Sequence, residues 1–416
     1  MLISLIDAWE ILDSRGNPTV AASCRLANGI TAKAHAPSGA STGTHEAVEL
    51  RDGDRARYNG KGVLRAVNNI RTRIGPALYG QPVDSVDAIM IQLDGTPAKS
   101  NLGANAILAV SCAAARAAAE SNGVPLWRYL AGNRTPQQPL PMTNILSGGL
   151  HAEHNIEFQD FLVMPQGIEG YPRQLEAIAA VHRATRVLLD ELGYALTGVA
   201  DEGGWGPILE SNERALSILT QAIERAGYRP GEQISIALDV AASHFYRSGQ
   251  YHLHTEKRSL ASAEMVELLA NWSSRYPVHS IEDGLDEDDW EGWQMLTARL
   301  GASLQLVGDD LFTTNLQRLN RGIGERCANA VLVKMNQIGT LTETFAVIDR
   351  ARAAGYRAVI SARSGETEDD FLADLATASG AGQIKIGSIT RSERLAKYNR
   401  LLEIDRELAV RYHDGP

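Results

Sequence analysis

Short apolar runs, each ending in a polar or charged residue, recur through the second half of the chain. Residues 330–333 run into Lys334, 234–238 into Asp239, 278–281 into Glu282 and 304–308 into Asp309. The run 358–361 leads to Arg363, and 383–384 ends at Lys385. Aliphatic and β-branched runs without alternation read as strands buried on both faces. After a first step of about 43 residues the charged ends follow at roughly 22–29, the length of one strand plus one crossover helix. The pattern predicts six βα units whose strand C-terminal ends gather at one mouth.

Upstream the pattern changes. Residues 142–146 and 158–164 read as strands close enough to pair antiparallel, and 171–192 and 212–226 as amphipathic helices flanking the loop 201–207. The predicted fold is therefore α/β, a modified (β/α)8 barrel of form ββαα(βα)6 over 142–416, preceded by an α+β capping domain over 1–135. In that first domain 3–36 alternate like a small antiparallel sheet, with Asn28-Gly29 as hairpin signal. Helical periodicity runs through 62–79, 86–93 and 103–119, and three prolines in 133–141 mark the boundary. Residues 37–44 are small, hydroxylated or glycine, and suit either a segment that covers a ligand or an ordinary solvated connection.

Composition narrows the partners. A chain of 416 residues, 22% charged and 44% hydrophobic, is that of a soluble two-domain protein. A net charge of −10 with no Lys/Arg block argues against nucleic acid and anionic membrane, but not against a small anionic substrate. Cys24, Cys112 and Cys327 are too few and scattered for a disulfide framework or a Cys-based zinc site, which fits the cytoplasm. The N-terminal apolar stretch is interrupted by Asp7 and Glu10, and the Ala-rich 103–119 holds Asn105, Ser111 and Arg116, so neither reads as a signal peptide or a membrane span.

Asp239, Glu282 and Asp309 end three consecutive predicted strands. Three carboxylates side by side repel unless a cation neutralises them, and an all-oxygen donor set suits Mg²⁺. Lys334, on the next strand, then reads either as a base whose pKa the metal and Lys385 depress, or as a counter-ion to a metal-site carboxylate. A lysine base beside a divalent cation suits proton abstraction α to a carboxylate. Glu202, in a glycine-flanked loop, is a candidate acid for a leaving hydroxyl. Arg363 and Ser364 offer a forked cation and a hydroxyl to a phosphate.

The chain resembles enolase over nearly its whole length. The resemblance is carried by Ile11-Leu-Asp-Ser-Arg-Gly-Asn-Pro-Thr-Val20, Pro37-Ser-Gly-Ala-Ser-Thr-Gly43, Gly103-Ala-Asn-Ala-Ile-Leu108, Asp201-Glu-Gly-Gly204, Ser280-Ile-Glu-Asp283, Gly308-Asp-Asp-Leu-Phe312, Lys334-Met-Asn-Gln-Ile-Gly339, Arg363-Ser-Gly-Glu-Thr-Glu-Asp369 and Lys397-Tyr-Asn399. It implies that Asp239, Glu282 and Asp309 hold one Mg²⁺ and that Ser41 helps hold a second, which arrives with substrate. It further implies that Lys334 takes the C2 proton of 2-phosphoglycerate and Glu202 assists departure of the 3-hydroxyl. Lys385 would meet the substrate carboxylate and Arg363 and Ser364 its phosphate, with His151 and Gln159 lining the pocket.

Two departures fall near the leaving group. The resemblance also makes His151 and Asp160 catalytic, but the family's Gln-Glu is Gln159-Asp160 here, which withdraws that carboxylate by ~1.5 Å. The family's Ser-His-Arg-Ser is Ser361-Ala362-Arg363-Ser364, so an imidazole is absent and the gap suits water or an extra substrate group. His154 and His244 stand where enolases usually carry other residues and read as surface or supporting histidines. The four positions that commonly form dimer ion pairs are Trp9, Ala21, Arg406 and Glu403, which implies a homo-oligomer with altered packing. Three functions fit: dehydration of 2-phosphoglycerate to phosphoenolpyruvate; a specialised reaction like that of carboxyphosphonoenolpyruvate synthase, joining an activated phosphonoformyl group to 2-phosphoglycerate; or a binding protein without catalysis. Retention of Lys334, Glu202 and the three carboxylates speaks against the last.

Overall fold

The computed structural model describes residues 1–39, 43 and 45–413, the last four of these by their backbone only. Ser41 therefore lies outside the described residues. β1 (Ile3–Leu12) pairs antiparallel with β2 (Pro18–Leu26), and β2 with β3 (Thr31–His35), as the alternation and the Asn28-Gly29 turn predicted. Small side chains on one face, among them Ala8, Ala22, Cys24 and Ala34, let the helix Ala104–Ser121 lie close against β2 and β3. That helix is buried on nearly every side because alanine lets its backbone approach the sheet. Among the described residues no helix is long and apolar enough to cross a membrane, and the three cysteines are buried and unpaired.

β4 (Leu140–Ser147) and β5 (Asp160–Met164) pair antiparallel, and β5 pairs antiparallel with β6 (Ser235–Asp239). The helices Tyr171–Glu191 and Asn212–Arg225 lie between β5 and β6 in sequence, so the predicted ββαα opening is present. After β6 comes a small antiparallel sheet of β7 (Tyr246–Arg247), β8 (Gln250–Leu253) and β9 (Arg258–Leu260). The periodicity did not reveal it, and it accounts for the long first step between charged ends. β10 (Val278–Glu282), β11 (Gln305–Gly308), β12 (Ala330–Val333), β13 (Arg357–Ser361) and β14 (Gln383–Gly387) follow in parallel, and β14 closes the barrel on β4.

The barrel interior is filled by its own cluster, including Met142, Leu162, Ala237, Val307, Leu332 and Val359, so the base of the barrel is a packed core and the open end is its mouth. Three links fasten the first domain to that mouth. Ser38 and Gly365 exchange backbone hydrogen bonds of 2.8 Å in both directions. Arg116 forks onto Asp369 with bonds of 2.8 and 2.9 Å, and buried Lys99 meets Glu343 at 2.8 Å. Such buried pairs fix register more than they stabilise, since desolvation offsets much of their attraction.

Candidate active site

Strand register sets the floor of the mouth. Glu282 stands beside Asp239 in the β10–β6 ladder, and Lys385 beside Ser361 in the β14–β13 ladder. Lys385 Nζ lies 2.7 Å from Asp239 Oδ2 and 2.8 Å from each oxygen of Glu282. Lys334, directly after β12, donates its ammonium to Asp309, whose other oxygen accepts from Gln337 Nε2 at 3.0 Å. Gln159 Nε2 reaches Asp239 at 3.2 Å. The predicted strand-end residues are thus brought together, each carboxylate already facing a lysine.

That pairing decides the electrostatics. Burial alone would lower the Lys385 pKa, but Asp239 and Glu282 outweigh it and hold the ammonium well above its ordinary value. Burial, then repulsion from Asp239, pushes the Glu282 carboxyl well up. At Lys334 burial again acts downward, yet Asp309 prevails and the pKa is raised. The expected depression required a cation already sitting on the carboxylates; without one, Asp309 keeps the lysine charged. Burial opposes ionisation of Asp309, and the Lys334 ammonium overcomes it to leave the carboxyl below the usual range.

Carboxylate and imidazole atoms gather within 4.8 Å of one another at two places among the described residues: His151 with Asp160 and Glu202, and Asp283 with Asp309 and Asp310. The predicted triad of Asp239, Glu282 and Asp309 is not drawn that tightly together, because lysines stand among its members. Its donor set is nonetheless all oxygen, and the repulsion from Asp239 that adds to burial in lifting Glu282 is what a hard divalent cation relieves, so the residues fit Mg²⁺. Asp283 is a brace, its carboxylate accepting the backbone N–H groups of Asp309 at 2.9 Å and Asp310 at 2.7 Å.

The facing wall comes from loops. His151 lies on the short 3₁₀ turn Gly149–Ala152, which follows the tight Gly148, where any Cβ would meet the Phe158 carbonyl oxygen at 2.3 Å. Glu202 sits beside Gly203, whose φ of +94° and closeness to Thr390 admit no side chain. His151 is held between two carboxylates, Nδ1 at 2.9 Å from Asp160 and Nε2 at 3.8 Å from Glu202. Burial presses its pKa down, but Asp160 and then Glu202 outweigh that and hold it at about 9. Burial raises the Asp160 carboxyl, against the pull of His151. Asn144 and Ser147 donate to the Asp160 carboxylate, so we assign the pair as imidazolium and carboxylate. Burial also opposes ionisation of Glu202, yet His151, Arg394 and Lys385 together bring its pKa below the ordinary value. On this wall the proton therefore rests on the imidazole.

A narrow pocket lies between floor and wall, lined by His151, Gln159, Glu202, Asp239, Lys334, Ser361, Ala362, Arg363, Ser364, Lys385 and Ile386. Asp160 is 0% exposed and does not line it, so this side chain reaches a ligand only through His151. Ala362 does line it. His154 is exposed and His244 half-buried, neither among the lining residues.

Sequence reasoning missed Glu46, Asn336, Gln337 and Arg394. Arg363 Nη1 donates to Glu46 at 2.8 Å and to Asn336 at 3.1 Å, and Arg394 braces the Arg363 and Ser364 carbonyls at 2.7 and 2.6 Å. Asn336 and Gln337 follow Lys334 directly, a signal that could have been used; Glu46 and Arg394 stand in no local pattern. Two family models match the chain: residues 3–130 match that of the enolase N-terminal domain, and residues 136–414 that of the enolase C-terminal TIM barrel domain.

Proposed function

The chain belongs to the enolase family, and from that premise we propose that it dehydrates 2-phosphoglycerate to phosphoenolpyruvate. One observation carries the reading: Lys334, Glu202, Arg363 and Lys385 line a single pocket together with Asp239. Lys334 removes the C2 proton, the C2–C3 double bond forms, the C3–O bond breaks, and the hydroxyl leaves as water with a proton from the His151–Glu202 pair. Arg363 and Ser364 hold the phosphate, Lys385 the carboxylate, and Gln159 orients the same end. Asp160 acts as a positioning residue that keeps His151 charged and aimed.

Asp239, Glu282 and Asp309 would hold one Mg²⁺, and Ser41 would help hold a second that comes with substrate. When bound, the metal supplies positive charge that acidifies C2–H of the substrate and offsets the charge developing on its carboxylate. The site's own residues bind, orient and move the protons.

Ala362 favours a second reading. Its small side chain lines the pocket, at a position where the family carries an imidazole, and the specialised reaction would place an activated phosphonoformyl group on that side. Both readings place a small phosphorylated carboxylate in the pocket and the protein in the cytoplasm. Assembly is proposed as a homo-oligomer without the family's ion pairs: Ala21 is wholly buried, and Glu403 is engaged within its own chain by Arg400 at 3.1 Å.

The deciding experiment is ultraviolet detection of phosphoenolpyruvate from 2-phosphoglycerate and Mg²⁺. Robust turnover supports the first reading. Negligible turnover by a folded protein that still binds Mg²⁺ rejects it in favour of the second, to be assayed with activated phosphonoformate.

A further inference from the structure

Every cation lining the pocket is matched by a carboxylate of the chain itself. For Lys334 and Lys385 the partners are Asp309, Asp239 and Glu282, which the proposed Mg²⁺ would engage. For Arg363 the partner is different in kind. Glu46 comes from the first domain, is 6% exposed at its side chain, and takes both terminal nitrogens of the guanidinium, Nη1 at 2.8 Å and Nη2 at 3.3 Å. The same carboxylate accepts the backbone N–H of Gly43 at 2.9 Å and Gln337 Nε2 at 3.3 Å. Gln337 Nε2 also donates to Asp309, the residue that holds Lys334.

A bidentate carboxylate occupies the edge of a guanidinium that a phosphate recognises in the same fork geometry. Two anions cannot share that edge in a buried site without strong repulsion. We propose that Glu46 is the resident anion of the Arg363 fork, and that a phosphorylated ligand binds by displacing it. The inference rests on the reading of Arg363 as the phosphate-binding residue. It makes Glu46 a specificity-determining residue: a ligand enters only if its anion bonds the fork better than a carboxylate does, which favours a phosphate dianion over a monocarboxylate. Because Glu46 shares Gln337 with Asp309, the exchange also changes the hydrogen bonding next to Lys334.

The test is calorimetric titration of the full-length protein with inorganic phosphate. Removing the charge in Glu46→Gln is expected to tighten phosphate binding roughly 10- to 100-fold, the weight of one charge-assisted pair. Equal or weaker binding overturns the proposal, and would mean that Glu46 only positions Arg363. Glu46→Asp keeps the charge but shortens the reach, and is expected to give a smaller gain, which also covers the case in which Glu46→Gln does not fold. Arg363→Ala separates the two levels. If it binds phosphate as well as the unaltered protein, the phosphate reading of Arg363 is what has failed; if it loses binding while Glu46→Gln gains none, only the exchange has failed.

Discussion

On the floor of the mouth Asp239, Glu282, Asp309 and Lys334 stand at or just beyond the ends of strands, Lys385 lies two residues inside the end of β14, and the ladder register fixes which neighbours Asp239, Glu282 and Lys385 meet. On the wall, His151, Asp160 and Glu202 come from a 3₁₀ turn, a strand and a glycine-bounded loop. The floor alternates carboxylate and ammonium, while the wall sandwiches one imidazolium between two carboxylates. On the proposed reading the difference separates two jobs. A floor rich in paired lysines accepts a proton once its carboxylates are engaged elsewhere, and a wall that stores a proton near pH 7 can give one away.

The largest effect is expected on the floor. Lys334→Ala should lower phosphoenolpyruvate formation by roughly 10³-fold or more and abolish exchange of the C2 proton with D₂O, read by proton NMR. Glu202→Gln should cost about 10²- to 10³-fold in turnover yet leave C2 exchange running, because only departure of the hydroxyl is impaired. If both variants lose exchange equally, the division between floor and wall does not hold. Asp160→Asn should lower turnover by roughly 10-fold and move the His151 titration, followed by imidazole NMR, down from about 9. An unchanged titration would remove Asp160 from its positioning role.

The floor was legible before any coordinates because a parallel strand that ends in a charge has only one place to put it. Six such endings in step point to one mouth, and each of the six predicted strands is present. On the wall Glu202 was legible from its glycine-flanked loop, but His151 and Asp160 only through resemblance to a family, since no local pattern says that a turn at Gly149 and a loop at Gly203 face each other. That is also why Asp160 read as a catalytic carboxylate: its distance from a motif is visible in the sequence, whereas its complete burial under Asn144, Ser147 and His151 is not. Glu46 stayed hidden for the same reason. Its partner Arg363 lies far away in sequence, and a lone glutamate after a glycine-rich segment looks like any solvated residue.

A further effect, on stability and not on turnover, tests whether the wall is also the more pH-sensitive region in its foundations. His182, on the helix Tyr171–Glu191, lies behind the Glu202 loop: its ring stacks on Trp205 at 4.7 Å and Nε2 is 3.4 Å from the Gly203 carbonyl oxygen. Burial is the main cause that lowers its pKa to about 4, with Arg183 adding to it and the Gly203 carbonyl opposing. An unfolded histidine titrates near 6.5, so the unfolded chain takes up a proton that the folded one resists. The contribution of neutral His182 is whole above about pH 6.5 and is lost as pH falls toward about 4, on the order of 2–3 kcal/mol. Carboxylates titrate in part of the same window, so the informative quantity is a difference. Urea unfolding at pH 7 and pH 4.5 should show a smaller loss of stability in His182→Gln than in the unaltered protein, since glutamine keeps a donor for Gly203 and binds no proton. Equal losses in the two proteins would place the acid sensitivity elsewhere and leave the loop that carries Glu202 no more pH-dependent than the strands beneath it.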